Sequence, residues 1–96
     1  MPFGYVIAQI NVTDAGTYPR YVDMVQPIVE SFGGEFLVRG GRSESHEGEP
    51  PGTRNVLIRF PSYEAACDWY HSADYAEAKA LRMSASTSVQ TIVEGV

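Results

Sequence analysis

The chain reads as an α+β domain of order β-α-β-β-α-β, a four-stranded antiparallel sheet with its helices on one face. Three observations predict this class. Segments 5–12, 35–39, 54–60 and 86–95 have strand character, and the first, third and fourth alternate with a period of two. The stretch after the first strand carries apolar residues at helical spacing, and so does a two-piece stretch before the last. The 96 residues, 44 % hydrophobic and 20 % charged, have the length and mixture of one globular domain spanning residues 1–96.

In "YVIAQINV", Val6, Ala8, Ile10 and Val12 point one way and Tyr5, Ile7, Gln9 and Asn11 the other. Asp14 or Thr17 then offers a helix cap, and Pro19 suits a first turn. Apolar positions at 18, 21, 22, 25, 28, 29 and 32 mark one helical face. Pro27 removes an N–H inside that helix and predicts a kink, while the stripe carries the helix through to a stop at Gly33-Gly34. "EFLVR" follows as the second strand, with Leu37 and Arg39 expected on the face of Tyr5 and Ile7. The polar stretch 42–52 predicts an exposed loop. "RNVLIRF" alternates Val56, Ile58 and Phe60 against Asn55, Leu57 and Arg59, and Pro61 ends it.

Ser62 is a helix cap with Glu64 in the first turn. The dense stretch "DWYHSADY", 68 to 75, reads as a joint: Trp69, Tyr70 and Tyr75 lie on inner helix faces and Ser72 caps a new helix through about Arg82. "STSVQTIVEG" is the fourth strand. The whole order is the ferredoxin-like pattern.

A formal net charge of −5 and no basic run argue against nucleic acid or an anionic membrane as partner. No segment approaches the ~20 apolar residues of a membrane span, and the N-terminus lacks a signal-type stretch. The lone Cys67 makes no internal disulfide, so the cytoplasm is the expected compartment. His46 and His71 show no metal-ligand spacing, and Glu44, His46, Glu47 and Glu49 read as a solvated acidic loop. Gly33-Gly34 and Gly40-Gly41 lack phosphate-loop spacing. Neither a metal nor a cofactor is expected. Tyr18, Tyr21, Tyr70 and Tyr75 can donate protons to a bound oxyanion, though a phenol of reference pKa ~10 is a poor unassisted base. No acid–base pair at diagnostic spacing appears, so no catalytic residue is assigned.

"GGEFLVRGG" (33–41), "EG" (47–48), "R.VLIRFPSYEAACDWYHSADY" (54–75) and Arg82, with Tyr18 and Tyr21, resemble the bacterial domain of unknown function 1330 family. The sequence departs from that family's pattern at Arg59, where an acid is frequent, and at Ala73, where proline is. The resemblance implies a ferredoxin-like subunit whose sheet meets a second sheet, a dimeric α+β barrel. It implies no reaction.

Physical reasoning also expects a homodimer. The sheet face away from the helices would carry Tyr5, Ile7, Leu37 and Leu57, an unusual monomer surface. Pairing two such faces removes apolar area from water at roughly 25 cal/mol per Å². Arginine cannot shed its charge, so an inward Arg39 or Arg59 must meet a carboxylate, water or an anionic ligand. Two readings follow. In one, a pocket between sheet and helices takes a small anionic or aromatic molecule, as a binding protein or cofactor-independent enzyme. Arg39 and Arg59 hold the anionic group, Gln9 orients it, and Tyr5 or Trp69 forms an apolar wall. In the other, a non-catalytic dimer lets its inner polar groups, Glu35 among them, neutralise one another.

Overall fold

A computed structural model describes residues 2–96. Seven elements follow in order: β1 (Gly4–Val12), α1 (Tyr18–Ser31), β2 (Glu35–Arg39), β3 (Arg54–Phe60), α2 (Tyr63–Tyr70), α3 (Ala73–Ala85) and β4 (Ser86–Glu94). The strands form one antiparallel sheet in the order β2-β3-β1-β4. This is the expected ferredoxin-like α+β arrangement, with the second helix divided in two.

Alternation decides what each strand buries. Val6, Ala8 and Ile10 of β1 pair in register with Ile58, Val56 and Arg54 of β3 and with Ile92, Gln90 and Ser88 of β4. Together with Phe60, the apolar members of this face form a core with Tyr18, Tyr21, Val25 and Val29 of α1 and with Ala66, Trp69, Tyr75, Ala78 and Ala85 of α2 and α3. The α1 residues recur every three or four positions, so one stripe faces the sheet. The helix runs across Pro27 without interruption, as the stripe predicts.

Local chemistry sets the boundaries. The Asp14 carboxylate accepts the N–H groups of Gly16 and Thr17 and the Thr17 hydroxyl, opening α1. Gly33, at φ +80°, takes the left-handed turn that closes it. Ser62 accepts the Ala65 N–H at the start of α2, and Ser72 accepts the Tyr75 N–H at the start of α3.

β2 departs from expectation. Glu35 and Phe36 oppose Arg59 and Ile58, but Val38 and Arg39 then oppose Leu57 and Val56. The extra residue, Leu37, makes a bulge that exchanges the faces of everything after it. Val38 therefore joins Leu57 on the outer face, and Arg39 turns to the helix side with Val56. The expected outward Arg39 is corrected by this one-residue slip.

Candidate functional site

The "DWYHSADY" joint folds as the residue types predict, and what it builds is a polar seam inside the core. The Ser72 hydroxyl donates to the Trp69 carbonyl and accepts the Tyr75 N–H, fixing the turn between α2 and α3. That turn stacks Trp69 on Tyr75 with centroids 4.2 Å apart and places Tyr70 edge-on to Trp69 at 5.9 Å. The Tyr75 hydroxyl thereby reaches Tyr21 on α1, oxygen to oxygen 2.8 Å.

One helical turn pair later, Arg82 lies in the same seam, 3 % exposed. Its Nε donates to the Tyr75 hydroxyl at 3.3 Å and its Nη1 to Ser88 Oγ at 2.9 Å. With the Gln90 amide oxygen turned towards it, Nη1 also donates there at 2.8 Å. Among the described residues no carboxylate lies within salt-bridge distance of this cation. A buried charge held only by neutral oxygens is unusual, since burial normally demands an ion partner. Sequence reading placed Arg82 as a helix end. What it missed was that β4 turns Ser88 and Gln90, polar residues in an alternating strand, onto the core face.

Hydrogens in the seam do not balance. Tyr75 accepts from Arg82, and the two phenols share one bond between them, so one of the two phenol hydrogens has no acceptor among the described residues. Two further buried donors lack partners, Trp69 Nε1 and Arg54 Nε. Both side chains line a partly open cavity of about 20 Å³ between the sheet and α1, with Tyr18, Tyr21, Phe36, Arg39 and Gln90. That is room for about one water molecule. Every unpaired group here is a donor, so the cavity is suited to an acceptor oxygen.

Burial pushes the Tyr21 phenol far above its ordinary value, and the adjacent Tyr75 adds to this. Burial also raises Tyr75, although the Tyr21 hydroxyl and the Arg82 charge pull against it. Both stay protonated at neutral pH and act as donors.

Beyond Gln90 a groove of about 430 Å³ opens between α2 and the edge strand β4. Tyr63, Cys67, Tyr70, His71, Thr91 and Ile92 line it, and it shares Gln90 and Val6 with the cavity.

The five residues singled out by sequence do not come together. Arg39 and Trp69 line the cavity. Arg39 is held there by the Gln26 side-chain oxygen at 2.6 Å, by the Val22 carbonyl at 2.7 Å, and by the Phe36 ring 4.3 Å below it. Arg59, Tyr5 and Gln9 stand on the outer face of the sheet, so they form no wall or anchor of a sheet–helix pocket. Arg59 donates to Glu35 at 2.8 Å and lies 4.6 Å from the Phe3 ring centre. That outer face also exposes Ile7, Leu37, Val38, Val89 and Val93. Among the described residues no three His, Cys, Asp or Glu side chains gather as metal ligands. No helix is long and apolar enough to cross a membrane among them either.

The four-stranded antiparallel sheet with its helices on one face defines a ferredoxin-like α+β domain. The chain belongs to the family described as domain of unknown function (DUF1330), which matches residues 3–96. A protein of unknown function from Rhodopseudomonas palustris superposes with a TM-score of 0.81 at 17 % identity, covering 99 % of this chain and 83 % of that one. A proposed antibiotic biosynthesis monooxygenase from Caulobacter crescentus CB15 gives 0.64 at 18 % identity, over 99 % and 91 % of the two chains. SnoaB, a cofactor-independent oxygenase from Streptomyces nogalater, gives 0.57 at 9 % identity over 97 % and 92 %. At these identities the likeness is one of fold. No curated protein sequence matches the chain.

Proposed function

We infer that this chain, as a cytoplasmic homodimer, binds a small anionic or aromatic molecule in the space between its sheet and helices. The observation that carries the reading is the one-sided imbalance of the seam: Trp69 Nε1, Arg54 Nε and one phenol hydrogen of the Tyr21–Tyr75 pair all lack acceptors. Buried donors without partners cost about 1–3 kcal/mol each, and an acceptor oxygen that reaches them removes that cost while the rest of the ligand stays outside the water-sized cavity. Donors fixed in a dry site also stabilise negative charge that develops on an oxygen. A bound enol or phenol would therefore ionise more easily, a step that fixed donors alone can favour. SnoaB shows that this fold accommodates cofactor-independent oxygen chemistry, which supports the reading by analogy of fold alone. The single free thiol of Cys67 supports the compartment in this reading.

Thermal denaturation against a panel of small carboxylates and phenols tests the binding. A rise in Tm with at least one class, reduced in Arg54→Met, is expected. No rise with any compound favours the second reading, a dimer without ligand. That reading has its own support in the Arg59–Glu35 pair, which already neutralises the outward Arg59.

A further inference from the structure

We propose that Arg82 is the counter-ion for a carboxylate ligand that enters through the groove between α2 and β4, and that Gln90 occupies the carboxylate's place until it arrives. The proposal rests on the reading of the sheet–helix space as a ligand site and names the ligand class and the residues that receive it.

Three observations converge on Gln90. Its amide oxygen takes the Arg82 Nη1 hydrogen at 2.8 Å and lies 3.3 Å from Nε. A planar amide oxygen is the neutral counterpart of one carboxylate oxygen, so the geometry already suits a carboxylate. Arg82 is buried, yet its partners are two hydroxyls and an amide. Its Nη2 donates no hydrogen bond among the described residues, which leaves a second donor for a bidentate partner. Finally, Gln90, which takes the Arg82 hydrogen, also lines the open groove, so it links the buried cation to that groove.

The groove fits the rest of such a molecule. Arg82 lines neither the cavity nor the groove, so only an acidic head that takes the place of the Gln90 amide reaches it, and the body stays in the groove among Tyr63, Tyr70, His71 and Ile92. Two phenol rings, an imidazole and an isoleucine suit a flat apolar body joined to an acidic head. The side-chain amide of Gln90 is the piece that moves: rotation about its own bonds clears the Arg82 donors without shifting the strand. Binding exchanges an ion–dipole contact for an ion pair in a site of low dielectric, where the gain is larger than in water.

The test uses the intact chain with sodium formate, acetate and benzoate, each against sodium chloride at equal ionic strength. At about tenfold its Kd, benzoate is expected to raise Tm by roughly 5 °C or more. In Gln90→Glu the new carboxylate supplies the counter-ion internally, so Tm is expected to rise without ligand and the benzoate shift to vanish. The reaction of Cys67 with a thiol reagent is expected to slow at least threefold in wild type with benzoate, because the ligand body covers the groove wall. A benzoate shift of equal size in Gln90→Glu would overturn the assignment of Arg82 while leaving ligand binding by the domain intact. Absence of a shift with every carboxylate in wild type would overturn it whatever Gln90→Glu does. Phenols that still shift Tm in that case would preserve the broader reading, and their failure as well would remove both.

Discussion

The hydroxyls of Tyr21 and Tyr75 lie 2.8 Å apart in the core and join α1 to α3 across 54 residues of sequence. Tyr75 has a second partner, Arg82 Nε at 3.3 Å, and Tyr21 has none beyond the pair. Truncation is therefore expected to be asymmetric. Tyr21→Phe removes one bond and should cost about 1 kcal/mol. Tyr75→Phe strands both Tyr21 and the Arg82 guanidinium and should cost about 2 kcal/mol or more, as hydrogen bonds to charged groups weigh more. Urea denaturation of the two variants and the double variant checks the order. The double variant should cost less than the sum, because the shared bond is lost only once.

The same pair sets an alkaline limit. Both phenols are raised above the ordinary value near 10, chiefly by burial. A raised folded-state pKa means that stability is complete below the unfolded pKa and is lost as pH climbs, because the unfolded chain ionises first. Stability should therefore be level through neutral pH and decline from about pH 10. In Tyr21→Phe/Tyr75→Phe that decline should be shallower. Equal slopes in Tm against pH would show that the seam is not what fails.

The turn between α2 and α3 offers a substitution that should strengthen the fold. Ala73 is the first residue of α3, and its N–H makes no hydrogen bond among the described residues. Ser72 before it is extended, at φ −70° and ψ 152°, a conformation compatible with a following proline. Ala73→Pro is expected to stabilise by about 0.4–1 kcal/mol through the unfolded state. Ser72→Ala should cost about 1 kcal/mol, since it removes the cap on Tyr75 and the bond to the Trp69 carbonyl. Thermal melts of the two single variants decide both signs.

Glycine in the long loop gives a sharper contrast. A Cβ on Gly52 would sit 2.0 Å from the Ile10 carbonyl oxygen, a backbone atom that cannot step aside, whereas one on Gly41 meets nothing within 4 Å. Gly52→Ala should cost roughly 1–3 kcal/mol, and Gly41→Ala should change stability by less than about 0.5 kcal/mol. Similar midpoints for the two in urea would mean that the loop does not rest against β1 as described.

Strict alternation made most of this fold legible. Val6, Ala8 and Ile10 in β1 and Val56, Ile58 and Phe60 in β3 announce their inner face without any knowledge of the partner strand, and they are buried. β2 gave no such warning. Phe36, Leu37 and Val38 are all apolar, so no period of two marks a face, and a bulge decided by pairing with β3 turned Arg39 inward. The site was harder still. Trp69 and Tyr75 were readable as inner aromatics, but that Tyr75 meets Tyr21 depends on how α1 crosses α3. Arg82 looked like a helix terminus because charge normally means exposure. Its burial follows only from Ser88 and Gln90 facing inward, a pairing of residues on separate elements.

The outer face of the sheet decides the state of association. Ile7 stands near its middle, 46 % exposed, paired across the ladder with Leu57 and Thr91. Leu37, Val38, Val89 and Val93 continue the apolar surface on both sides. A β-sheet face of this kind left in water is a standing liability, and a second copy would cover it with the same residues. The Arg59–Glu35 pair would enter such an interface already neutralised, which keeps the desolvation cost down. Light scattering at micromolar concentration is expected to give twice the 10.5 kDa chain mass. Ile7→Lys would place a charge at the centre of both faces and should give the single-chain mass with the circular dichroism spectrum unchanged. Met83→Lys, at a residue of α3 that is 58 % exposed, should leave the doubled mass intact. A wild-type particle of single-chain mass would show that this face is tolerated in water, and the dimer would have to be given up.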